Sequence, residues 1–317
     1  MKKSDSSFKC SVWLSCLFLA TLVFGVSGCS SSKEVDERGW PKKLVFAYWV
    51  DDEVPGLRLE ATTHLADYLS KELDLEVEIK KTTQYGPVIE AMRADKVDIS
   101  MFGTFAYILA SAKAGAECII VRGTEAGGIS YHSLLLARQD SPVNNLEDLK
   151  AMGKDLTFAF TNPASTSGHL IPRANLELEG INPERDFKEL VFPGKHNATL
   201  LSVVSGKVDV GCVSENTFRK LKNLGGIDPK EVKIIWKSPP IPNGCIAVRE
   251  RLPEDLKAAI REKLLNLKDG HPETWEEVKK IYTYSTAPNS YYISANDSYF
   301  DEVRVLARRI DNLDMLN

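Results

Sequence analysis

The strongest constraint on the fold is an alternation of apolar runs and helical patterns that begins at residue 44. Short apolar runs predict strands over residues 44–48, 75–79, 97–102, 118–122 and 131–138. Apolar residues at helical spacing predict helices over residues 57–73, 86–94 and 104–114. Strands that alternate with helices in this way predict an α/β fold with parallel sheets covered by helices.

The alternation starts again near residue 145. Helices are predicted over residues 145–151, 165–178 and 197–205, and strands over residues 156–160, 191–192, 208–213, 232–236 and 246–248. A short motif marks the repetition, because the letters KVD enter an apolar strand at Val97 and again at Val208. The pattern therefore predicts two lobes built on one plan. Residues 253–313 are predicted to be mostly helical, without a strand, and to pack against the first lobe.

Residues 1–28 have the pattern of an export signal. Lys2 and Lys3 precede an apolar run over residues 11–25, which is shorter than the roughly 20 residues that a spanning helix needs. The letters VSGC ending at Cys29 resemble the lipobox of bacterial lipoprotein precursors, in which the cysteine becomes the N-terminus and carries a lipid containing palmitate. Residues 29–41 are then a polar tether. The alternatives are an ordinary signal peptide and an anchor helix that is never cut.

Composition excludes several classes of protein. Hydrophobic residues make up 43% of the 317 residues and charged residues 26%, so the chain can bury a sizeable core and disorder is excluded. The net charge is −4 without a basic stripe, and nothing in the sequence supports nucleic-acid binding. No CxxC or HxxH spacing indicates a metal site.

Three cysteines remain after the leader and Cys29. Cys118, Cys212 and Cys245 each lie in an apolar run, which favours buried free thiols. One disulfide, between Cys212 and Cys245, is the alternative.

The segment over residues 161–173 has the features of an anion site. It reads TNPASTSGHLIPR and leads from a predicted strand into a predicted helix, at the edge of an α/β sheet where ligands bind. The unpaired N–H groups of a helix start attract oxyanions, and Ser165, Thr166 and Ser167 add hydroxyl donors. The alternative is simple helix capping, which needs only one such residue. The segment lacks the P-loop pattern, and the chain lacks a G-x-S-x-G elbow, so neither nucleotide hydrolysis nor serine hydrolysis is supported.

Three further residues lie at predicted strand ends or helix starts. His196 begins the helix after residue 192 and can donate a hydrogen bond to an anion, although a histidine there also has structural uses. Tyr85 lies at a strand-to-helix corner of the first half, and Tyr131 begins the last strand of that half. Tyrosines offer a ligand an apolar face and a phenolic donor, and their alternative role is packing.

Several long segments resemble the phosphonate/phosphite solute-binding proteins of ABC importers. They read QYGPVIEAMRADKVDISMFGTFAYILA, YHSLLLAR, NPASTSGHLIPR, GKHNATLLSVVSGKVDVGCV and PPIPNGCIAVRERLP. The resemblance implies a two-lobed type II periplasmic-binding-protein fold, with a mostly parallel sheet in each lobe and the ligand in the interlobe cleft. Lobe 1 is expected over residues 42–139 and 247–317, and lobe 2 over residues 140–246. The family's ligand-binding residues map onto Tyr85, Tyr131, Ser165, Thr166, Ser167 and His196.

The resemblance also implies a function. The chain is expected to be a monomeric, non-catalytic binding lipoprotein on the extracytoplasmic side of a membrane, without a cofactor. It delivers a small phosphorus oxyanion to an ABC permease and its ATPase. The alternative is a sensor subunit of the same fold that presents an oxyanion such as phosphate or arsenite to a histidine kinase.

Two departures from the family pattern bear on the ligand. Asn197 replaces the usual acidic residue after the histidine, and the segment over residues 241–245 lacks the carboxylate that pairs with the amine of aminoalkylphosphonates. Glu215 follows a predicted strand and is expected to be able to reach the cleft. An unpaired ammonium in a closed cleft is costly, so the sequence favours phosphite, a simple alkylphosphonate or phosphate.

Overall fold

The computed structural model describes residues 34–49, 56–82 and 84–310. The predicted leader, the lipidation site Cys29 and residues 30–33 of the predicted tether lie outside the described residues. Within the described part of the chain, no helix combines the length and the apolar character that crossing a bilayer requires.

The first half of the described chain alternates strands and helices, as its pattern predicts. In chain order they are β1 (Lys43–Trp49), α1 (Leu57–Leu73), β2 (Glu76–Thr82), α2 (Tyr85–Arg93), β3 (Ile99–Phe102), α3 (Thr104–Ala114), β4 (Ala116–Thr124), β5 (Gly127–Gly128), β6 (Ser130–Tyr131) and β7 (Ser133–Arg138).

The second half begins with a short helix and returns to the same alternation. Its elements are α4 (Leu146–Met152), β8 (Thr157–Ala159), a π-helical turn (Thr166–Leu170) continuing into α5 (Ile171–Leu178), α6 (Pro183–Asp186), β9 (Glu189–Val191), α7 (His196–Val204), β10 (Val210–Ser214), α8 (Glu215–Asn223), β11 (Val232–Lys237), β12 (Ile241–Pro242) and β13 (Cys245–Arg249). The tail contains α9 (Glu254–Gly270), α10 (Pro272–Val278), β14 (Tyr291–Ser294) and α11 (Asp301–Ala307). Three 3₁₀ turns, at Gly153–Asp155, Lys279–Tyr282 and Asp297–Phe300, complete the described elements.

Two sheets organise these elements. The first has the strand order β14-β4-β13-β3-β1-β2, with β5 paired to β4, and the second has the order β11-β7-β10-β8-β9. The chain crosses between the sheets twice, and the two crossings pair with each other as the small antiparallel ladder of β6 and β12. The two-lobed α/β architecture follows from these two sheets.

The repeated KVD motif has the same structural role in both sheets. The carboxylate of Asp98 accepts a hydrogen bond from the backbone N–H of Val45 at 2.9 Å, and the backbone N–H of Asp98 donates to the carbonyl of Val45 at 2.9 Å. Asp209 makes the same reciprocal pair with Thr157, at 2.8 and 3.0 Å. Each aspartate precedes a strand and bonds to the neighbouring parallel strand, so it fixes the register between the two strands.

Three sequence expectations need correction. The sheets are mixed and not mostly parallel, because the strands after each crossing, β7 and β13, run antiparallel to their neighbours. Strand β7 was expected in lobe 1, but it pairs with β10 and β11 in the second sheet, whereas β13, which begins at Cys245, belongs to the first. The tail was expected to lack strands, but β14 pairs with β4.

Buried side chains fill both faces of each sheet. One cluster joins α1, α9 and α10 to the first sheet and includes Phe46, Leu65, Ile260 and Trp275. The tail therefore packs against the first lobe, as expected. The cluster on the opposite face, around Phe105, also contains Ala164, Leu170 and Ala174 from the second half of the chain. The start of α5 thus packs against α3, and the region around residue 166 lies where the two lobes meet.

Candidate functional site

A cleft of about 220 Å³ opens among the ends of the strands and the starts of several helices. This volume lies below the roughly 300–1,000 Å³ of pockets that hold drug-sized ligands, so the cleft suits a small solute. The structure brings all six residues singled out in the sequence to its lining: Tyr85, Tyr131, Ser165, Thr166, Ser167 and His196.

The turn after β8 is held in shape by its small residues. The hydroxyl of Ser165 accepts a hydrogen bond from the backbone N–H of Gly168 at 3.0 Å, and the carbonyl of Gly168 accepts from the N–H of Thr161 at 2.7 Å. A Cβ on Gly168 would lie 2.4 Å from the Cβ of Thr161, so only glycine lets the turn close. The closed turn exposes consecutive hydroxyls toward the cleft, in an arrangement we call the cradle (Ser165, Thr166 and Ser167).

The cradle touches both lobes. The backbone N–H of Phe105, at the start of α3, donates to Oγ1 of Thr166 at 2.8 Å. The hydroxyl of Tyr131, on a crossing strand, lies beside the hydroxyls of Ser167 and Thr166. Burial raises the pKa of Tyr131, so its phenol remains protonated and can donate. The cradle therefore contacts the start of α3, the crossing strand and the rest of its own turn.

His196 has a defined tautomer. The backbone N–H of Ser214 lies 3.1 Å from Nδ1 of His196, and a backbone N–H can only donate. Nδ1 is therefore the acceptor, and the ring hydrogen of the neutral imidazole is on Nε2. Nε2 lies 3.3 Å from Oγ of Ser165. Since the Ser165 oxygen already accepts from Gly168 and can accept from His196, its own hydrogen remains available to a ligand.

Several helix starts converge on the cleft. Gly103 before α3, Ser165 before the π-helical turn, His196 at the start of α7 and Ser214 before α8 all line it. Each helix start carries partial positive charge and N–H groups without partners inside the helix. Their convergence creates a field that favours a bound anion.

The charged side chains of the lining are cations, so they add to the positive potential of the helix starts. Arg58, Arg122 and Lys220 line the cleft, and no carboxylate does so among the residues that the structure describes. Glu215, which was expected to be able to reach the cleft, is not part of the lining, and its Oε1 lies 3.1 Å from Nζ of Lys237. The described lining thus offers cations and neutral donors.

Sequence reasoning missed the cationic and amide members of the lining. Arg122 is the last residue of the strand predicted over residues 118–122, and its charge follows an apolar run. Asn243 was noted only as a place without a carboxylate, yet its side-chain nitrogen is buried and has no hydrogen-bond partner. A search for charged residues near the ends of predicted strands would have found Arg122.

The three described cysteines are free and buried. Cys212 lies in the core of the second sheet, whereas Cys245 lies in β13 of the first and its thiol neighbours that of Cys118. The alternative of a disulfide between Cys212 and Cys245 is therefore wrong for this structure. Burial raises the pKa of the Cys212 and Cys245 thiols well above the usual range.

Comparisons with known proteins agree with this geometry. Residues 51–292 match the family described as the periplasmic substrate-binding protein of phosphonate ABC transporters. The phosphonates-binding periplasmic protein of Escherichia coli strain K12 is 32% identical over 287 residues, which cover 90% of this chain and 82% of that protein. The phosphate-import protein PhnD of Mycolicibacterium smegmatis is 28% identical over 270 residues, which cover 82% of each chain.

A solved structure gives the same result. The binding protein component of an ABC phosphonate transporter from Pseudomonas aeruginosa is 26% identical and superposes with a TM-score of 0.72, covering 83% of this chain and 85% of that one. These relatives are transport binding proteins, and the comparisons give no support to the sensor alternative. The chain belongs to the family of periplasmic substrate-binding proteins of phosphonate ABC transporters.

Proposed function

We propose that this chain is a lipid-anchored binding protein that captures a small phosphorus oxyanion (phosphite, a phosphonate or phosphate) for an ABC importer. The observation that carries the proposal is the convergence of the cradle, His196 and Tyr131 on one cleft lined by helix starts. Hydroxyl and N–H donors around a positive field are the groups that an oxyanion requires.

The donors are arranged for the tetrahedral end of the ligand. The hydroxyl oxygens of Ser165 and Thr166 accept hydrogen bonds from the backbone N–H groups of Gly168 and Phe105, so their own hydrogens can point at an anion. His196 orients the Ser165 hydroxyl through its Nε2, and the phenol of Tyr131 completes the set of donors. An oxyanion bound here replaces water with donors that are already positioned, which reduces the ordering cost of binding.

The lining also supports a ligand without an amine. The described lining contains no carboxylate. Oε1 of Glu215 pairs with Lys237, and Oε2 of Glu215 is buried without a hydrogen-bond partner. An ammonium enclosed beside Arg122 and Lys220 would be repelled and without an anionic partner among these residues. We therefore expect phosphite, phosphate or a phosphonate without an amine to bind more tightly than 2-aminoethylphosphonate.

The mode of action that we propose is closure of the two lobes on the ligand. We take the ladder of β6 and β12 as the pivot of this closure, with the first lobe over residues 42–129 and 245–310 and the second over residues 133–238. The bound form is then delivered by a monomer, without catalysis, to a permease and its ATPase. A lipid on Cys29 keeps the protein at the membrane, where the raised effective concentration offsets a weak docking contact.

A thermal-shift screen tests the proposed function. The purified protein is heated with phosphite, phosphate, hypophosphite, methylphosphonate or 2-aminoethylphosphonate, and sulfate serves as the control anion. A ligand that binds only the folded form raises Tm by mass action. We expect a phosphorus oxyanion without an amine to give the largest shift. The proposal would be refuted if no phosphorus oxyanion shifted Tm, or if sulfate gave the largest shift. A largest shift with 2-aminoethylphosphonate would refute the preference for a ligand without an amine.

The anchor is tested separately. Cells grown with labelled palmitate should yield labelled protein in the membrane fraction, and the Cys29→Ser variant should carry no label. Label that persists in this variant would place the lipid elsewhere.

A further inference from the structure

The most unusual group in the cleft is Arg122, whose cationic side chain has only neutral partners. The residue is 8% exposed. Its Nε donates to Oγ of Ser290 at 3.0 Å, and its Nη2 donates to Oγ of Ser285 at 3.0 Å and to the carbonyl of Ala287 at 2.7 Å. Its guanidinium carbon lies 3.7 Å from the ring centre of Tyr282. No carboxylate pairs with it among the described residues.

The buried guanidinium of Arg122 needs an anionic partner. Burial lowers the pKa of Arg122, but a guanidinium remains protonated in proteins. A buried cation whose contacts are hydroxyls, a carbonyl and an aromatic face is incompletely compensated. Arg122 faces the cleft, so a ligand in the cleft can supply the missing negative charge.

Asn243 also lines the cleft, and it has a donor without a partner. Its side-chain nitrogen is buried and makes no hydrogen bond. The backbones of Arg122 and Asn243 are linked through Ile129, which donates its N–H to the carbonyl of Arg122 at 3.2 Å and accepts from the N–H of Asn243 at 3.0 Å. Two such spacings separate the two backbones by about 10 Å, and their side chains line one wall of the cleft.

This wall is distinct from the cradle. Tyr131, which contacts the cradle, pairs with Ile241 on the crossing ladder, and Asn243 and Arg122 lie on the far side of that ladder's end. Because the cradle, Asn243 and Arg122 line the same cleft, a phosphonate group held by the cradle can extend its substituent toward Asn243 and Arg122. Both of these residues are donors, and one is a cation.

We propose that the ligand is a phosphonate with a second anionic group on a short chain, such as a carboxylate, which binds to Arg122 and Asn243. This inference rests on the proposed function, because it assumes that the cradle holds the phosphonate group. The guanidinium compensates the charge of the second group, and the amide nitrogen of Asn243 donates to one of its oxygens. A carboxylate beside an arginine and an amide is a strong, charge-assisted interaction.

Calorimetry at neutral pH tests the inference with three phosphonates of similar size. Phosphonoacetate carries a carboxylate, ethylphosphonate an apolar end and 2-aminoethylphosphonate an ammonium. We expect the affinity for phosphonoacetate to be at least about ten times that for ethylphosphonate. We expect 2-aminoethylphosphonate to bind most weakly. Equal or weaker binding of phosphonoacetate than of ethylphosphonate overturns the inference and leaves the proposed function standing. Failure of all three phosphonates, and of phosphite and phosphate, refutes the proposed function itself.

Variants assign the preference to these residues and not to the overall charge of the cleft. Arg122→Gln should reduce the ratio of the two affinities to within about threefold while ethylphosphonate still binds. Arg138→Gln is the matched control, because it removes the same charge from an exposed arginine outside the lining that pairs with Asp140 at 3.2 Å. A preference that survives in Arg122→Gln overturns the inference.

Arg122 also ties β4 to the segment over residues 285–290, so its replacement can unfold the protein. A near-isosteric change at Asn243 avoids this problem. Asn243→Asp places a carboxylate in the same wall and should reverse the order of phosphonoacetate and 2-aminoethylphosphonate. An unchanged order in this variant contradicts the inference.

Discussion

Replacing Ser167 with alanine is the most direct test of the cradle, because its hydroxyl has few other roles. Ser165 caps the turn and Thr166 bonds to α3, but the contact identified for the Ser167 hydroxyl is with Tyr131, which Thr166 also contacts. The stability of the unliganded protein should therefore change little. Binding should change much more, since a hydrogen bond to a charged group contributes about 1.5–3 kcal/mol.

The size of the effect on ligand-induced stabilisation follows from mass action. At a ligand concentration about 100 times the wild-type Kd, the bound ligand stabilises the fold by about 2.7 kcal/mol. A loss of about 1.5–3 kcal/mol raises Kd about 13- to 160-fold. The same ligand concentration then stabilises Ser167→Ala by only about 0.3–1.3 kcal/mol. The ligand-induced shift in Tm should fall in proportion, to about half of the wild-type value or less.

Differential scanning fluorimetry with and without the best ligand measures this shift. Ser205→Ala is the control, because Ser205 is exposed at the end of α7 and outside the cleft lining. It should keep the full wild-type shift. A Ser167→Ala variant that keeps the full shift would show that the oxyanion does not bind at the cradle.

Three further predictions concern the turn that forms the cradle. Gly168→Ala should lower Tm strongly, because the added Cβ would collide with Thr161. Gly86→Ala is the control: its added Cβ meets nothing within 4 Å, so Tm should stay the same or rise. Equal changes in Tm for the two variants would refute the packing argument. Ser165→Ala should weaken binding and, unlike Ser167→Ala, also reduce the free energy of unfolding by about 1 kcal/mol in urea titrations, since it removes a cap. Burial lowers the pKa of His169 to about 4. The unfolded state binds the proton more readily, so stability is fully present above about pH 6.5 and falls by up to about 3 kcal/mol as the pH drops toward 4. Urea titrations across this range should show that His169→Asn flattens the dependence, and an unchanged slope would place its cause elsewhere.

Local patterns predicted most of the elements. Helix α1 spans the predicted residues, and the apolar runs at residues 44–48 and 232–236 became strands with bounds one residue or so longer. These predictions succeeded for the same reason, because the spacing of apolar residues is visible within each segment. The turn around Ser165 was equally visible, because three small hydroxyl residues and a glycine follow a strand.

Pairing between distant segments was less predictable. Strand β7 was found in the sequence but assigned to the wrong lobe, because its partner β10 lies more than seventy residues further along the chain. Strand β14 was missed, since its four residues follow a stretch rich in proline and tyrosine, and its pairing with β4 is invisible locally. Arg122 was missed for the same reason, because the side chains that surround it come from residues 282–290.

The ladder of β6 and β12 has a consequence for how the family can change over evolution. Main-chain hydrogen bonds hold this crossing together, so its geometry depends little on which side chains occupy it. Asn243 lies one residue beyond the ladder and faces the ligand cleft. On the proposal that Asn243 contacts the second group of the ligand, a single substitution there exchanges one class of solute for another while the join between the lobes stays as it is. New nutrient preferences become accessible by one mutational step, without an intermediate that has lost its fold.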